Sequence, residues 1–107
     1  MTTSNTPIYA SQARPWLKFY DQKYINQTMP ACTASELVCR QNKNRLGETA
    51  LEYYGRKSTY ADFIGNVKKT AAALRAAGLK KGDIITVVSV MTPEIIFAFY
   101  AADMIGA

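Results

Sequence analysis

The sequence predicts an α/β fold from three observations. Apolar residues recur at three- and four-residue steps between Phe63 and Leu74, which is typical of one face of a helix. Residues 49–54 have the β-branched and aromatic content of a strand. Residues 84–90 are apolar without strict alternation, which is the pattern of a strand buried on both faces of a parallel sheet. Helix and strand signals therefore alternate along the chain.

The first 32 residues predict an irregular N-terminal arm, distinct from an incomplete α/β subdomain over residues 33–107. The arm is polar and is interrupted by Pro7, Pro15 and Pro30. Its aromatic side chains would be unfavourable in water, so we expect them to pack across the surface of a larger body. These side chains are Trp16, Phe19, Tyr20 and Tyr24.

A helix and a β-hairpin should follow the arm. Thr33 and Glu36 have the spacing of a capping box, which predicts a helix from this point to about Asn42. Two β-prone stretches separated by a glycine-containing turn then predict a hairpin. Its first strand, turn and second strand are expected at residues 49–54, 55–57 and 58–60.

The clearest helix in the sequence begins near Thr59 and ends at Gly78. Thr59 and Asp62 resemble a helix start, and Gly78 suits the left-handed position that closes a helix. The buried face should be formed by Phe63, Ile64, Val67, Ala71 and Leu74. A turn over residues 80–83 leads from this helix to the predicted strand.

A last helix is predicted between Thr92 and Gly106. Thr92 is expected to cap it, Pro93 fits its first turn, and Glu94 places negative charge at the positive end of the helix dipole. Residues 95–102 are apolar on every side, so we expect protein to surround this helix. No strand follows to complete an α/β crossover, and we interpret the sequence as a piece of a longer chain.

Composition excludes several classes of protein. The chain has 107 residues, 49% of them hydrophobic and 20% charged, which is enough apolar material for a core. It has no histidine, so a serine triad, a cysteine–histidine pair and a histidine-based zinc site are excluded within the sequence. The net charge of +5 is spread over single basic residues and pairs, which indicates a solvated surface and no nucleic-acid partner.

The two cysteines and the N terminus indicate a cytoplasmic protein. Cys32 and Cys39 would lie about 10 Å apart on one helix, too far for a disulfide, so we expect structural thiols and no metal site. The first residues carry neither a basic start nor an apolar run, so no secretory signal is expected. The longest apolar run, residues 95–102, is too short to cross a bilayer.

The order of these signals resembles a known family. The sequence Tyr-Gly-Arg-Lys-Ser-Thr-Tyr-Ala-Asp-Phe at 54–63 and Gly-Leu-Lys-Lys-Gly-Asp at 78–83 carry most of the resemblance. Shorter matches follow at Pro93-Glu94, at 99–102 and at 105–107. Together they resemble the start of AMP-forming acyl-CoA synthetases of the adenylate-forming superfamily. The stretch Trp-Leu-Lys-Phe-Tyr at 16–20 is similar to the opening of long-chain fatty acid CoA ligases.

The resemblance implies an N-terminal fragment of an enzyme that uses ATP and magnesium to convert a fatty carboxylate into an acyl-adenylate. The acyl group would then pass to coenzyme A. The phosphate loop, the ribose-binding aspartate and the mobile lysine of that family would lie beyond Ala107. We therefore assign no catalytic, cofactor-binding or metal-binding residue to this chain and expect the fragment alone to be inert. The implied partner is the remainder of the parent enzyme.

Three groups of residues within the chain could suggest a site, and each has a structural interpretation. Lys80 to Asp83 lack the glycine spacing of a phosphate loop and are better explained as a turn. Asp62 and Asp83 are interpreted as a helix-start acid and a turn residue, not as paired catalytic carboxylates. Packing at the core and sheet edge, not adenine binding, is expected for Tyr53, Tyr54 and Tyr60.

Two alternative interpretations stay open. The chain could belong to an amino-acid-activating adenylation domain of a peptide synthetase, although the opening at 16–20 favours the ligases. It could also be a complete small α/β module whose final helix binds a partner. The apolar final helix and the unpaired strand at 84–90 predict self-association of the fragment. Acyl chain length and membrane association leave no signal in the sequence.

Overall fold

The computed structural model describes residues 9–107. The part of the predicted arm that precedes Tyr9 lies outside the described residues. The chain divides into two compact units, one ending at Ala31 and the other running from Cys32 to Ala107. In the described part of the chain, no helix is long and apolar enough to span a membrane.

The first unit contains three short helical segments of four or five residues within the arm that the sequence predicts to be irregular. Two are α-helices, α1 (Ala10–Ala13) and α2 (Gln22–Ile25), and a 3-10 helix (Pro15–Phe19) lies between them. Pro15 suits the first position of its helix, where its missing N–H has no partner to lose. Asp21 caps α2 by accepting the backbone N–H of Lys23 at 3.1 Å. The aromatic side chains predicted to be covered, Trp16, Phe19, Tyr20 and Tyr24, are exposed.

The second unit begins with helix α3 (Ala34–Gln41), and its capping box is confirmed. The Thr33 hydroxyl accepts the backbone N–H of Glu36, and the Glu36 carboxylate accepts the backbone N–H of Thr33, both at 3.2 Å. Two of the backbone donors at the helix start are satisfied by this exchange. The helix ends one residue before the predicted end at Asn42.

A β-hairpin of two antiparallel strands follows, β1 (Thr49–Tyr53) and β2 (Arg56–Thr59). The turn lies at Tyr54 and Gly55, one residue earlier than predicted, with φ values of 48° and 77°. Positive φ at both central residues is the requirement of the tight turn that matches the twist of a hairpin. The predicted α/β class is confirmed by this combination of helices and a sheet.

Helix α4 (Tyr60–Ala76) starts and ends as the sequence predicts. Thr59 and Asp62 form a second capping box. Gly78 has a φ of 102°, and the chain closes with bonds from the Gly78 N–H to the Arg75 carbonyl and from the Leu79 N–H to the Leu74 carbonyl, each 3.0 Å. This pair of bonds is the Schellman arrangement, which satisfies carbonyls that the helix leaves free.

Helix α5 (Pro93–Ile105) packs on α4 and forms the core with it. Phe63, Val67 and Ala71 of α4 are buried against Ala101 and Ile105 of α5. The Phe63 ring meets the rings of Phe97 and Tyr100 of α5 at 5.9 and 5.4 Å. Only one side of α5 is covered, because Phe99 remains 61% exposed. The prediction of a helix surrounded by protein is therefore met on one face.

The buried strand predicted over residues 84–90 is absent from the described structure. These residues form no regular element, and Ile84 and Val88 are 93% and 91% exposed. A strand buried on both faces needs hydrogen-bonding neighbours. Within the described residues the one sheet is the two-stranded hairpin, and it does not pair with this segment. Residues 84–90 therefore have the composition of a strand, but the described part of the second unit supplies no neighbouring strand to pair with them.

Candidate functional site

A concave polar surface of the second unit is a cleft of about 360 Å³ between the hairpin and the start of α5. The hairpin positions Tyr53, Arg56 and Ser58 on one side, because alternate residues of the paired strands face the same way. Asn66 comes from α4, and the start of α5 supplies Thr92, Pro93, Glu94 and Phe97.

Opposite charges face each other across this cleft. Hydrogen-bond donation by Thr92 and by the backbone N–H of Glu94, together with the positive charge of Arg56, holds the pKa of Glu94 below its ordinary value. Thr92 makes no capping bond to the backbone of α5, so the cap predicted for it is wrong. The cleft can orient a polar group between the charges of Arg56 and Glu94.

A buried polar junction ties α3 to the far end of α5. Ser35 is the buried polar residue of the described chain, at 3% exposure. Its backbone N–H donates to the Asp103 carboxylate at 2.8 Å, and its hydroxyl bonds to the Thr33 hydroxyl at 2.9 Å. Partial burial raises the pKa of Asp103, but hydrogen bonds from Ser35, Thr33 and Ala34 outweigh that effect and hold the pKa below its ordinary value.

Sequence reasoning missed this junction, although α5 carries a signal for it. Asp103 is the one charged residue of α5 beyond its first turn. It lies near the negative end of the helix dipole, where a carboxylate is unfavourable without a partner. The positive N-terminal end of α3 supplies that partner, so the junction is an electrostatic clamp between two helices and not a reactive centre.

The acidic residues considered as paired carboxylates have separate structural roles. Asp62 accepts the backbone N–H and the hydroxyl of Thr59 at 3.1 and 2.8 Å, and these bonds lower its pKa. Asp83 accepts the backbone N–H of Lys80 at 2.7 Å and so closes the turn over residues 80–83. The same turn is held against the end of α5 by a bond of 2.8 Å from the Gly82 N–H to the Gly106 carbonyl.

The three tyrosines do not form one platform. Tyr53 lines the cleft described above, whereas Tyr60 lines an apolar groove with Phe63 and Tyr100. Tyr54 is 93% exposed and touches Tyr53 edge to face at 4.6 Å, so the packing expected for it is missing.

Both cysteines are free thiols. Cys39 lies in α3, but Cys32 precedes the helix, so the two do not share one helix as the sequence estimate assumed. Within residues 9–107, no cluster of three or more acidic or cysteine side chains could hold a metal ion.

Comparison with known proteins identifies relatives of this chain. The family described as AMP-binding enzyme matches residues 38–107. A long-chain-fatty-acid–CoA ligase of Bacillus subtilis is 28% identical over 94 residues, which are 87% of this chain and 17% of that protein. An acetyl-coenzyme A synthetase of Parvibaculum lavamentivorans is 36% identical over 97 residues, which are 85% of this chain and 14% of that protein. No solved structure matches the chain.

The chain thus spans less than a fifth of the length of these two relatives. The family match begins within α3 and includes the hairpin, α4, the segment 84–90 and α5. It covers well over half of the sequence, so the chain belongs to the AMP-binding enzyme family.

Proposed function

We propose that this chain is the N-terminal part of an ATP-dependent acyl-CoA ligase. The parent enzyme would activate a carboxylate as an acyl-adenylate and transfer the acyl group to the thiol of coenzyme A. The family match over residues 38–107 carries this proposal. Relatives named as coenzyme A ligases or synthetases favour it over an amino-acid-activating domain.

A fatty carboxylate is the substrate we favour, because the opening at residues 16–20 is similar to that of long-chain fatty acid CoA ligases. The Bacillus subtilis relative, which carries that name, aligns with 87% of this chain. Acetate is a second candidate, since the Parvibaculum lavamentivorans acetyl-coenzyme A synthetase has the higher identity, 36%, over a similar span.

The described residues do not fit an ATP or magnesium site, and we route no catalytic step through them. The carboxylates of Asp62 and Asp83 are occupied by a helix cap and a turn. Lys80 precedes an extended segment, whereas a phosphate-binding loop opens a helix whose N–H groups face the anion. The contribution we propose for this part of the enzyme is a packed frame of α4, α5 and the hairpin. A cytoplasmic location suits its two free thiols, which a reducing compartment preserves.

The test is an assay of the parent enzyme that contains this chain. Carboxylate-dependent release of pyrophosphate from ATP, followed by acyl-CoA formation when coenzyme A is added, is the expected result. Palmitate should be the better substrate, and a preference for acetate would replace the fatty substrate with the short one. Activity with an amino acid and without coenzyme A would overturn the ligase proposal.

The fragment itself gives a second test. Calorimetric titration of the 107-residue chain with ATP and magnesium should show no saturable binding tighter than about 100 μM, because residues 9–107 form no phosphate cradle. The parent enzyme is the matched positive control. Tight binding by the fragment would place the nucleotide site in this chain.

A further inference from the structure

We draw no further inference here: the strongest candidate, the cleft between the β1–β2 hairpin and the start of α5 with Arg56 and Glu94 on its walls, rests on a helix N-terminus and two exposed charges, and nothing in residues 9–107 shows what occupies it.

Discussion

The β1–β2 hairpin and the extended segment 84–90 are the two parts of the second unit with strand-forming composition, and they differ in how their backbone groups are satisfied. In the hairpin, each strand finds its partner across a turn of two residues, Tyr54 and Gly55. Closing so short a loop costs little conformational entropy. A parallel strand instead needs a partner brought by a crossover of a dozen or more residues or by another chain. Local composition alone therefore does not make a strand.

Contact with the core is the second difference between these regions. Ala50 and Leu51 of β1 pack against the cluster formed by α4 and α5. The start of α4 is bonded to the preceding loop, from the Tyr60 N–H to the Glu48 carbonyl at 3.0 Å and from the Ala61 N–H to the Leu46 carbonyl at 2.9 Å. The extended segment has its two ends fixed by a turn and a helix, and most of its side chains are exposed between them. The packed region should thus respond strongly to mutation and the segment weakly.

The largest effect on stability is expected from Val67→Asp, which lies in the packed core of the second unit. Val67 is 3% exposed in the core, and an unpaired carboxylate buried there costs several kcal/mol, comparable with the stability of a small domain. We expect loss of the cooperative thermal transition in circular dichroism. Lys69→Asp, on the exposed side of α4, is the control, and its melting temperature should be close to that of the unsubstituted 107-residue chain. Equal melting temperatures for the two variants would contradict the assigned core.

An intermediate effect is expected at the junction of α3 and α5, which holds α5 independently of the extended segment. Asp103→Asn weakens the bonds to the start of α3 and should lower stability by about 1 kcal/mol above about pH 5. The folded-state pKa of Asp103 is depressed, so its stabilisation is complete above the unfolded value of about 3.9 and is lost as the pH falls through the folded value. The difference between the two proteins should therefore shrink below about pH 4.

Urea denaturation across this acid range measures the difference. Glu52→Gln, whose carboxylate is exposed and lies 3.8 Å from the Lys57 ammonium, controls for removal of a negative charge. Residual acid sensitivity is expected in both proteins because hydrogen bonds also lower the pKa values of Asp62 and Glu94. If the unfolding free energies of Asp103→Asn and of the unsubstituted chain differed by the same amount at every pH, the Asp103 charge would not stabilise the junction.

A smaller effect, a gain in stability, is expected from a substitution in the turn of the hairpin. Tyr54 has a φ of 48°, in the left-handed region that a bulky side chain adopts at a cost. Asparagine followed by glycine is the preferred pair for this turn, so Tyr54→Asn should raise stability by about 0.5–1 kcal/mol. Tyr54→Val is the matched control and should destabilise, because a β-branched residue tolerates this conformation poorly. A midpoint from thermal melts that is lower for Asn than for Val would contradict the turn geometry.

The smallest effect is expected in the extended segment. Val88→Thr keeps the shape of the side chain at a site that is 91% exposed, so the stability of the monomer should change by less than about 0.5 kcal/mol. The same replacement at Val67, which is 3% exposed, buries a hydroxyl and should cost about 1–3 kcal/mol. Both variants should be compared in dilute solution, below the concentration of any dimer. Equal losses would mean that the segment is packed against the body.

Local hydrogen bonds explain which features the sequence could predict. The Thr33 and Thr59 caps join residues three positions apart, and the closing glycines Gly78 and Gly106 need only a backbone conformation that glycine adopts freely. The apolar face of α4 follows from the helical period alone. The sequence could predict these features because the residues that interact lie within one turn of the same helix.

Features with distant or competing partners required the tertiary structure. Ser35 and Asp103 are 68 positions apart, and nothing local pairs them. Thr92 has the sequence of a cap, yet its side chain makes no capping bond to the backbone of α5. The seven residues of segment 84–90 have the preference of a strand, but a strand exists only where a second backbone supplies its hydrogen bonds. Sequence determined which conformations each segment favours, and the tertiary structure decided which of them found a partner.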